Sequence, residues 1–244
     1  DYADAHNNLG NVLKELGDSG AAIESYRRAI KLNPGYAGAH NNIGVIQSDG
    51  EEFDDAITSF LEAIKINPRF SEAYFNMGKA QKNRGDLEDA MVSYRKALEF
   101  KPDYAEAFNN LGNIQKAKGD LEGAMDSFSR AVSLRPDFAQ ALTNIGNMQK
   151  DRGEHEKAVA SFKRVLAINS ESAEAHNNLG ILQLYFGDIS NALDSFIRTL
   201  QIDPLSREAH NNMGNALMDQ GDLEGAMVSY RKALELKPDY ADVH

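Results

Sequence analysis

Asparagine side chains at a fixed spacing are the residues of this chain with the most distinctive chemistry. At seven positions spaced 34 residues apart, an asparagine stands two places before a glycine. Each side-chain amide offers donors and an acceptor, and so matches the N–H and C=O of a peptide group. Aligned on one surface, such residues could hold extended peptide backbone whatever its side chains. These ladder asparagines are Asn8, Asn42, Asn76, Asn110, Asn144, Asn178 and Asn212.

A second set of asparagines lies three places after some ladder asparagines. A spacing of three places both residues on one face of a helix, so we expect this second set to flank the same groove. The alternative is that a ladder asparagine bonds to neighbouring backbone and fixes helix packing. The second set is Asn11, Asn113, Asn147 and Asn215.

An apolar cluster interrupts the polar pattern in the sixth copy. Leu184, Tyr185 and Phe186 stand there, and Met218 follows one copy later. Aromatic and methionine side chains are frequent binding hot spots, so Tyr185 is a candidate peptide-binding residue. The alternative is that Leu184 and Phe186 pack against the adjacent helix.

The chain carries no pattern typical of a catalytic, cofactor or metal site. It has no cysteine, so a thiol nucleophile is excluded. Histidines recur in one column, one copy apart, which is too distant for a shared metal at ligand distances of ~2 Å. A recurring serine, represented by Ser93, has no base at a suitable spacing. We therefore expect no enzymatic activity and no cofactor, and we place the serine column at the surface.

Composition limits the possible partners. The net charge is −11, which disfavours binding to a phosphate backbone and favours solubility. No apolar run approaches the ~18 residues of a membrane span. The absence of cysteine is compatible with a reducing compartment, so a cytoplasmic location is favoured.

Each copy of the pattern predicts two short helices. In residues 105–138, Ala107, Leu111 and Ile114 have helical spacing. Gly119-Asp120 is predicted to end this helix and to begin the next one. Apolar residues at spacings of three and four follow until Pro136 ends the second helix. Connections this short join antiparallel neighbouring helices, so each copy is predicted to be a helix-turn-helix.

The period divides the chain into seven repeats and a remainder. Residues 1–2 and 241–244 match parts of neighbouring repeats, so we expect a segment of a longer array. Uncapped repeat ends make end-to-end self-association possible. The predicted repeats are 3–36, 37–70, 71–104, 105–138, 139–172, 173–206 and 207–240, with 241–244 starting an eighth.

This pattern resembles the tetratricopeptide repeat (TPR) family. The family's 34-residue unit combines Leu-Gly, Ala, an aromatic residue and Pro, and these columns recur here, as in Gly112, Ala124, Phe128 and Pro136. The resemblance implies an all-α right-handed superhelix whose first helices line a concave, ligand-binding face.

Some short segments of the sequence resemble the TPR region of O-GlcNAc transferases in particular. They include Asn8-Leu9-Gly10-Asn11 and Asn110-Leu111-Gly112-Asn113. In that family an asparagine ladder holds the backbone of substrate peptides, and the matching positions here are the seven ladder asparagines. No glycosyltransferase catalytic sequence is present, so only the recognition part could carry over.

The sequence therefore predicts a non-catalytic scaffold that binds extended protein or peptide segments. Alternatives are the substrate-recognition arm of a glycosyltransferase and a self-associating structural array. A clamp for a peptide's C-terminal carboxylate is disfavoured, because its Arg and Lys positions hold other residues, apart from Lys79.

Overall fold

Fourteen α-helices follow one another along residues 2–236, the part of the chain that this computed structural model describes. No strand lies between them in that range, so the predicted all-α fold of helix-turn-helix repeats is confirmed. Residues 237–244, with the predicted start of an eighth repeat, lie outside the described part. No helix among the described residues has both the length and the apolarity needed to cross a membrane.

The helices fall into two compact units. The first unit ends at Leu134 and the second begins at Arg135. The first contains α1 (Ala3–Glu15), α2 (Ser19–Leu32), α3 (Ala37–Asp49), α4 (Phe53–Ile66), α5 (Ser71–Arg84), α6 (Leu87–Phe100), α7 (Ala105–Ala117) and α8 (Leu121–Leu134). The second contains α9 (Ala139–Asp151), α10 (His155–Ile168), α11 (Ala173–Tyr185), α12 (Ile189–Ile202), α13 (Arg207–Gln220) and α14 (Leu223–Glu235).

The two helices of a repeat approach closely where a glycine faces an aromatic ring. A Cβ atom added to Gly44 would lie 2.7 Å from the ring of Phe60, which is fully buried. The same contact occurs in every repeat, between a glycine of the first helix and a Tyr or Phe of the second. Only glycine allows this approach without displacing the ring.

The core continues from each repeat into the next. In the first unit, Ala22 and Tyr26 of α2 pack with Ile43 and Ile46 of α3. In the second unit, Phe196 of α12 packs in a cluster that reaches α13. Each unit is therefore held by neighbour-to-neighbour burial of apolar area.

The serine column is buried, so its predicted surface position was wrong. Ser93 is 2% exposed, and its hydroxyl donates to Oε1 of Gln81 at 2.6 Å. Ser59 and Ser195 make the same bond to the glutamine twelve residues earlier. The serine is small because it faces the first helix, and its hydroxyl supplies a partner for a glutamine that is itself mostly covered.

The turn between the two helices requires a left-handed residue. Glycine occupies that place in most repeats, as at Gly85 with φ +102°. In the second repeat the glycine stands one place earlier, at Gly50 with φ −85°, and Glu51 takes the left-handed conformation with φ 62°. That conformation costs a residue with a Cβ about 1–2 kcal/mol.

We predict that Glu51→Gly stabilises the first unit by roughly 1 kcal/mol, because glycine adopts a positive φ without a steric penalty. The measurement is the midpoint of urea unfolding followed by circular dichroism. The matched control is Gly85→Ala, which should lower the midpoint, since it places a Cβ on a left-handed residue. A lower midpoint for Glu51→Gly would contradict the assigned turn geometry.

Candidate functional site

Within each unit, first helices of neighbouring repeats are in contact, and we call the surface formed by the first helices of a unit its first-helix face. In the first unit α1 contacts α3 and α3 contacts α5, and in the second unit α11 contacts α13. The ladder asparagines occupy the middle of these helices. The ladder asparagines Asn8, Asn42 and Asn76 in the first unit, and Asn178 and Asn212 in the second, therefore lie on helices that are in contact.

Hydrogen bonds connect ladder asparagines to the preceding repeat. Nδ2 of Asn76 donates to Oδ1 of Asn41 at 3.1 Å, and Nδ2 of Asn212 donates to Oδ1 of Asn177 at 3.1 Å. Nδ2 of Asn42 lies 3.4 Å from Oδ1 of Asn7. We call these contacts asparagine bridges. Asn8, at the start of the chain, is exposed.

Two ladder asparagines have different partners. Nδ2 of Asn110 donates to the hydroxyl of Tyr94 at 3.4 Å. Oδ1 of Asn178 accepts from Nζ of Lys150 at 2.5 Å, and Asn178 is only 6% exposed. Asn144 is partly buried. The ladder asparagines therefore differ from repeat to repeat, although the sequence pattern around them is the same.

The second set of asparagines is engaged in side-chain hydrogen bonds as well. Oδ1 of Asn11 accepts from the Tyr26 hydroxyl at 2.9 Å, and it also accepts from Nδ2 of Asn42 at 3.1 Å. Nδ2 of Asn147 donates to Oε1 of Glu174 at 3.0 Å. The remaining members are Asn215, whose Oδ1 accepts from the Tyr230 hydroxyl at 2.7 Å, and Asn113, which is partly buried.

The sequence analysis missed the asparagines that precede the ladder residues. Asn41 is 2% exposed and Asn177 is 7% exposed. Asn109 is 1% exposed as well. The recurring Asn-Asn dipeptide in the sequence could have indicated that the two residues have different roles.

An aromatic cluster takes the place of one bridging asparagine. Phe75 occupies the position of Asn41 one repeat later, and its ring centroid lies 4.6 Å from that of Tyr104 and 5.8 Å from that of Tyr94. Burial raises the pKa of Tyr104 to about 12, and the negative charges of Glu72 and Glu106 add to the shift. This cluster replaces a polar position of the first-helix face with an apolar one in repeat three, where the Phe75 ring packs on the buried Tyr94.

A second aromatic cluster lies at the end of α11 in the second unit. The Tyr185 ring centroid lies 4.1 Å from that of His155 and 5.4 Å from that of Phe186. Tyr185 is 67% exposed, whereas Leu184 packs against the core of the repeat. Tyr185 is therefore accessible at the edge of the first-helix face, and Leu184 fits the packing alternative.

Titratable groups do not form a metal-binding cluster within residues 2–236. No group of three or more His, Cys, Asp or Glu side chains there could hold a metal ion. Histidines of the recurring column contact loop carbonyls instead, since Nε2 of His176 lies 3.0 Å from the carbonyl oxygen of Ser170. The polar groups of the described first helices are amides, carboxylates and lysine amines such as that of Lys150.

Two family models match the sequence over most of its length. The model for "TPR repeat" matches residues 49–83, 82–119, 146–184 and 214–244. The model for "Tetratricopeptide repeat" matches residues 3–36 and 105–138. No curated protein sequence matches the chain significantly.

Solved structures with the same repeat architecture resemble the chain. YrrB, described as a TPR protein with an unusual peptide-binding site, is 25% identical with a TM-score of 0.63, over 74% of this chain and 93% of YrrB. MamA is 26% identical with a TM-score of 0.60, over 66% of this chain and 94% of MamA. PilF of Pseudomonas aeruginosa, at 19% identity and a TM-score of 0.78 over 85% of this chain and 94% of PilF, supports the fold alone.

The raised pKa of Tyr104 predicts a loss of stability at alkaline pH. Below pH ~10 the tyrosine is protonated in both states; between pH 10 and about 12 the unfolded chain loses the proton and the folded chain keeps it. The free energy of unfolding should therefore fall across this interval. Tyr104→Phe should reduce that fall, as measured by urea midpoints at pH 9 and pH 11.5.

Phenylalanine occurs naturally at the position of Tyr104 in other repeats, as Phe70 and Phe138. At pH 9 the variant should therefore remain folded. An equal alkaline loss in the two proteins would show that burial of Tyr104 does not oppose its ionisation.

Proposed function

Because the chain belongs to the tetratricopeptide repeat family, we propose that it is a protein-interaction scaffold that binds an extended peptide segment along its first-helix face. The ladder asparagines bind the peptide backbone, and the aromatic clusters bind side chains. The chain itself carries out no reaction in this proposal. Its ligand is a protein segment that is unfolded or extended when it binds.

The proposal rests on the observation that a ladder amide uses only part of its hydrogen-bonding capacity within the protein. Among the described residues, the side-chain hydrogen bond of Asn76 uses Nδ2 alone. An amide nitrogen has two hydrogens and the amide oxygen accepts two bonds. Asn76 therefore keeps one donor and its oxygen for a ligand, which is the complement of one peptide group.

The spacing of the first helices suits an extended chain. Packed helices have axes 8–10 Å apart, and the contact between α3 and α5 places Asn42 and Asn76 on neighbouring helices. An extended peptide advances about 3.3 Å per residue. One ladder asparagine can therefore meet a backbone amide about every third residue, which leaves the intervening side chains unconstrained.

The charges along the face favour an internal segment over a peptide's C-terminus. Glu72, Glu174 and Glu208 stand in the first turns of α5, α11 and α13. These carboxylates disfavour a terminal carboxylate and favour basic or neutral side chains in the ligand. The peptide-binding description of YrrB supports a ligand of this general class.

The Tyr185 cluster supports a local apolar contact. Tyr185 lies seven residues after Asn178 on α11, so the two share one side of the helix. Exposed aromatic rings bury a large area on binding at a small entropic cost. We assign this cluster to an apolar or aromatic side chain of the bound segment.

A second candidate function uses the same surface as the recognition arm of an O-GlcNAc-transferase-like enzyme. The ladder asparagines and the Asn-Leu-Gly-Asn runs favour it. In that case the transfer chemistry belongs to sequence outside residues 1–244. A longer chain from the same source with glycosyltransferase activity would favour this function, and a chain of TPR repeats alone would exclude it.

We predict that Asn76→Ala combined with Asn110→Ala raises the dissociation constant of a bound peptide at least tenfold. Each substitution removes up to two backbone hydrogen bonds, each worth about 0.5–1.5 kcal/mol. The probe is a fluorescein-labelled 15-residue peptide, obtained by selecting a random-peptide display library on the wild-type chain. Fluorescence anisotropy gives the dissociation constant.

The control is Asn191→Ala on α12, a second helix, where the exposed side chain bonds to Asp188. This change should leave the dissociation constant unaltered. Loss of helicity in the double variant would indicate that the ladder serves packing. Unchanged affinity with full helicity would refute backbone binding by these residues.

We predict that Tyr185→Ala weakens a display-selected peptide that binds the second unit about tenfold while the melting temperature stays within a few degrees of wild type. The reason is that an exposed aromatic anchor contributes to binding more than to the core. Thermal unfolding monitored by circular dichroism and anisotropy titration measure the two quantities. If affinity is unchanged, the aromatic cluster has no part in peptide binding.

A further inference from the structure

We infer that the first asparagine of each Asn-Asn pair is a positioning residue, which orients the ladder asparagine of the next repeat and so decides which repeats hold a peptide. The inference rests on the proposed function for the identity of the ligand. The residues concerned in the two units are Asn7, Asn41 and Asn177. None of them needs to contact the peptide itself.

Within each unit, an asparagine bridge is present wherever the first asparagine of a pair is followed by a ladder asparagine in the next repeat. Asn41 accepts from Asn76 and Asn177 accepts from Asn212, both at 3.1 Å. Asn7 accepts from Asn42 at the longer distance of 3.4 Å. The acceptor is buried in each case, while the ladder residue is partly exposed.

A bridge of this kind fixes the plane of the ladder amide. One N–H donates into the protein, and this holds the nitrogen towards the preceding repeat. Where the bridge uses the N–H trans to the oxygen, the other N–H and the oxygen lie along one edge of the planar amide, and a peptide group can bond to both. Loss of rotational freedom before binding lowers the entropic cost of capture.

Two repeats lack an asparagine at the first position of the pair. In both cases the ladder residue of the next repeat has a different hydrogen-bond partner. Phe75 has no side-chain acceptor, and Asn110 bonds to the Tyr94 hydroxyl. The Thr143 hydroxyl donates to the carbonyl of Ala139 in its own helix. The ladder residue that follows it is Asn178.

The surroundings of Asn178 show most clearly what changes when the asparagine bridge is missing. Lys150 occupies its oxygen, and the side chain is 6% exposed. A peptide N–H cannot reach an acceptor that is covered and already paired. In repeat two, Asn42 uses both of its N–H groups within the protein. The ladder amide therefore keeps one donor and its oxygen for a peptide in repeats three and seven. The ladder is interrupted in repeat six, where the exposed Tyr185 stands instead.

The first test removes a bridge with Asn41→Thr, a residue that the chain itself accepts at Thr143. The threonine hydroxyl can bond to the carbonyl of Ala37, as Thr143 bonds to that of Ala139. We expect the NMR order parameter of the Asn76 side-chain amide to fall. The dissociation constant of the display-selected fluorescein peptide should rise about fivefold, the equivalent of about one hydrogen bond.

The second test creates a bridge with Thr143→Asn combined with Lys150→Ser. This reproduces the residues of the second repeat, where Asn41 and Ser48 precede Asn76. In a crystal structure of the variant, Asn178 should donate to the amide oxygen introduced at position 143. The dissociation constant of a display-selected peptide that binds the second unit should fall. Lys150→Ser alone is the control, since it frees the oxygen without orienting the amide.

The outcomes separate the inference from the proposed function. If no peptide is selected by the wild-type chain, the proposed function fails, and the order parameters still decide whether Asn41 positions Asn76. An unchanged order parameter in Asn41→Thr overturns the inference. A lower stability with unchanged peptide affinity also overturns it, because the first asparagines are then structural residues only.

Discussion

The contact between a glycine of the first helix and an aromatic ring of the second helix determines the rest of the structure. Gly44 and Phe60 show it in the second repeat, where a methyl group on the glycine would lie 2.7 Å from the ring. The contact sets the distance between the two helices and the rotation of the first helix about its axis. Since it recurs in every repeat, every first helix has the same rotation, and the asparagines follow from it.

Helical geometry then assigns the two asparagines of a pair to different surroundings. The ladder residue Asn42 precedes Gly44 by two positions, about 200° around the helix, so it points away from the partner helix. Asn41 precedes the glycine by three positions and lies on the glycine's side, where it is 2% exposed. The buried amide provides an acceptor for the neighbouring repeat, and the other amide keeps bonding capacity for a ligand.

The sequence predicts the helices and their turns well, because spacing within a helix is a local property. In the second repeat the turn glycine stands one place earlier than in the others, and the structure explains this through the left-handed Glu51. Two features were missed for a different reason. The burial of Ser93 and the bridge from Asn76 to Asn41 depend on distances between helices and between repeats. A repeating pattern shows which residues are equivalent, but it does not give those distances.

The central claim is that ladder amides bind the backbone of an extended peptide. The most direct measurement is a titration of the ¹⁵N-labelled chain with the display-selected peptide, observed through its asparagine side-chain amide resonances. The account predicts that the side-chain amide resonances of Asn76 in the first unit and Asn212 in the second unit shift, whereas that of Asn191 on a second helix does not shift. Shifts confined to residues of the second helices, with the ladder amides unchanged, would contradict it.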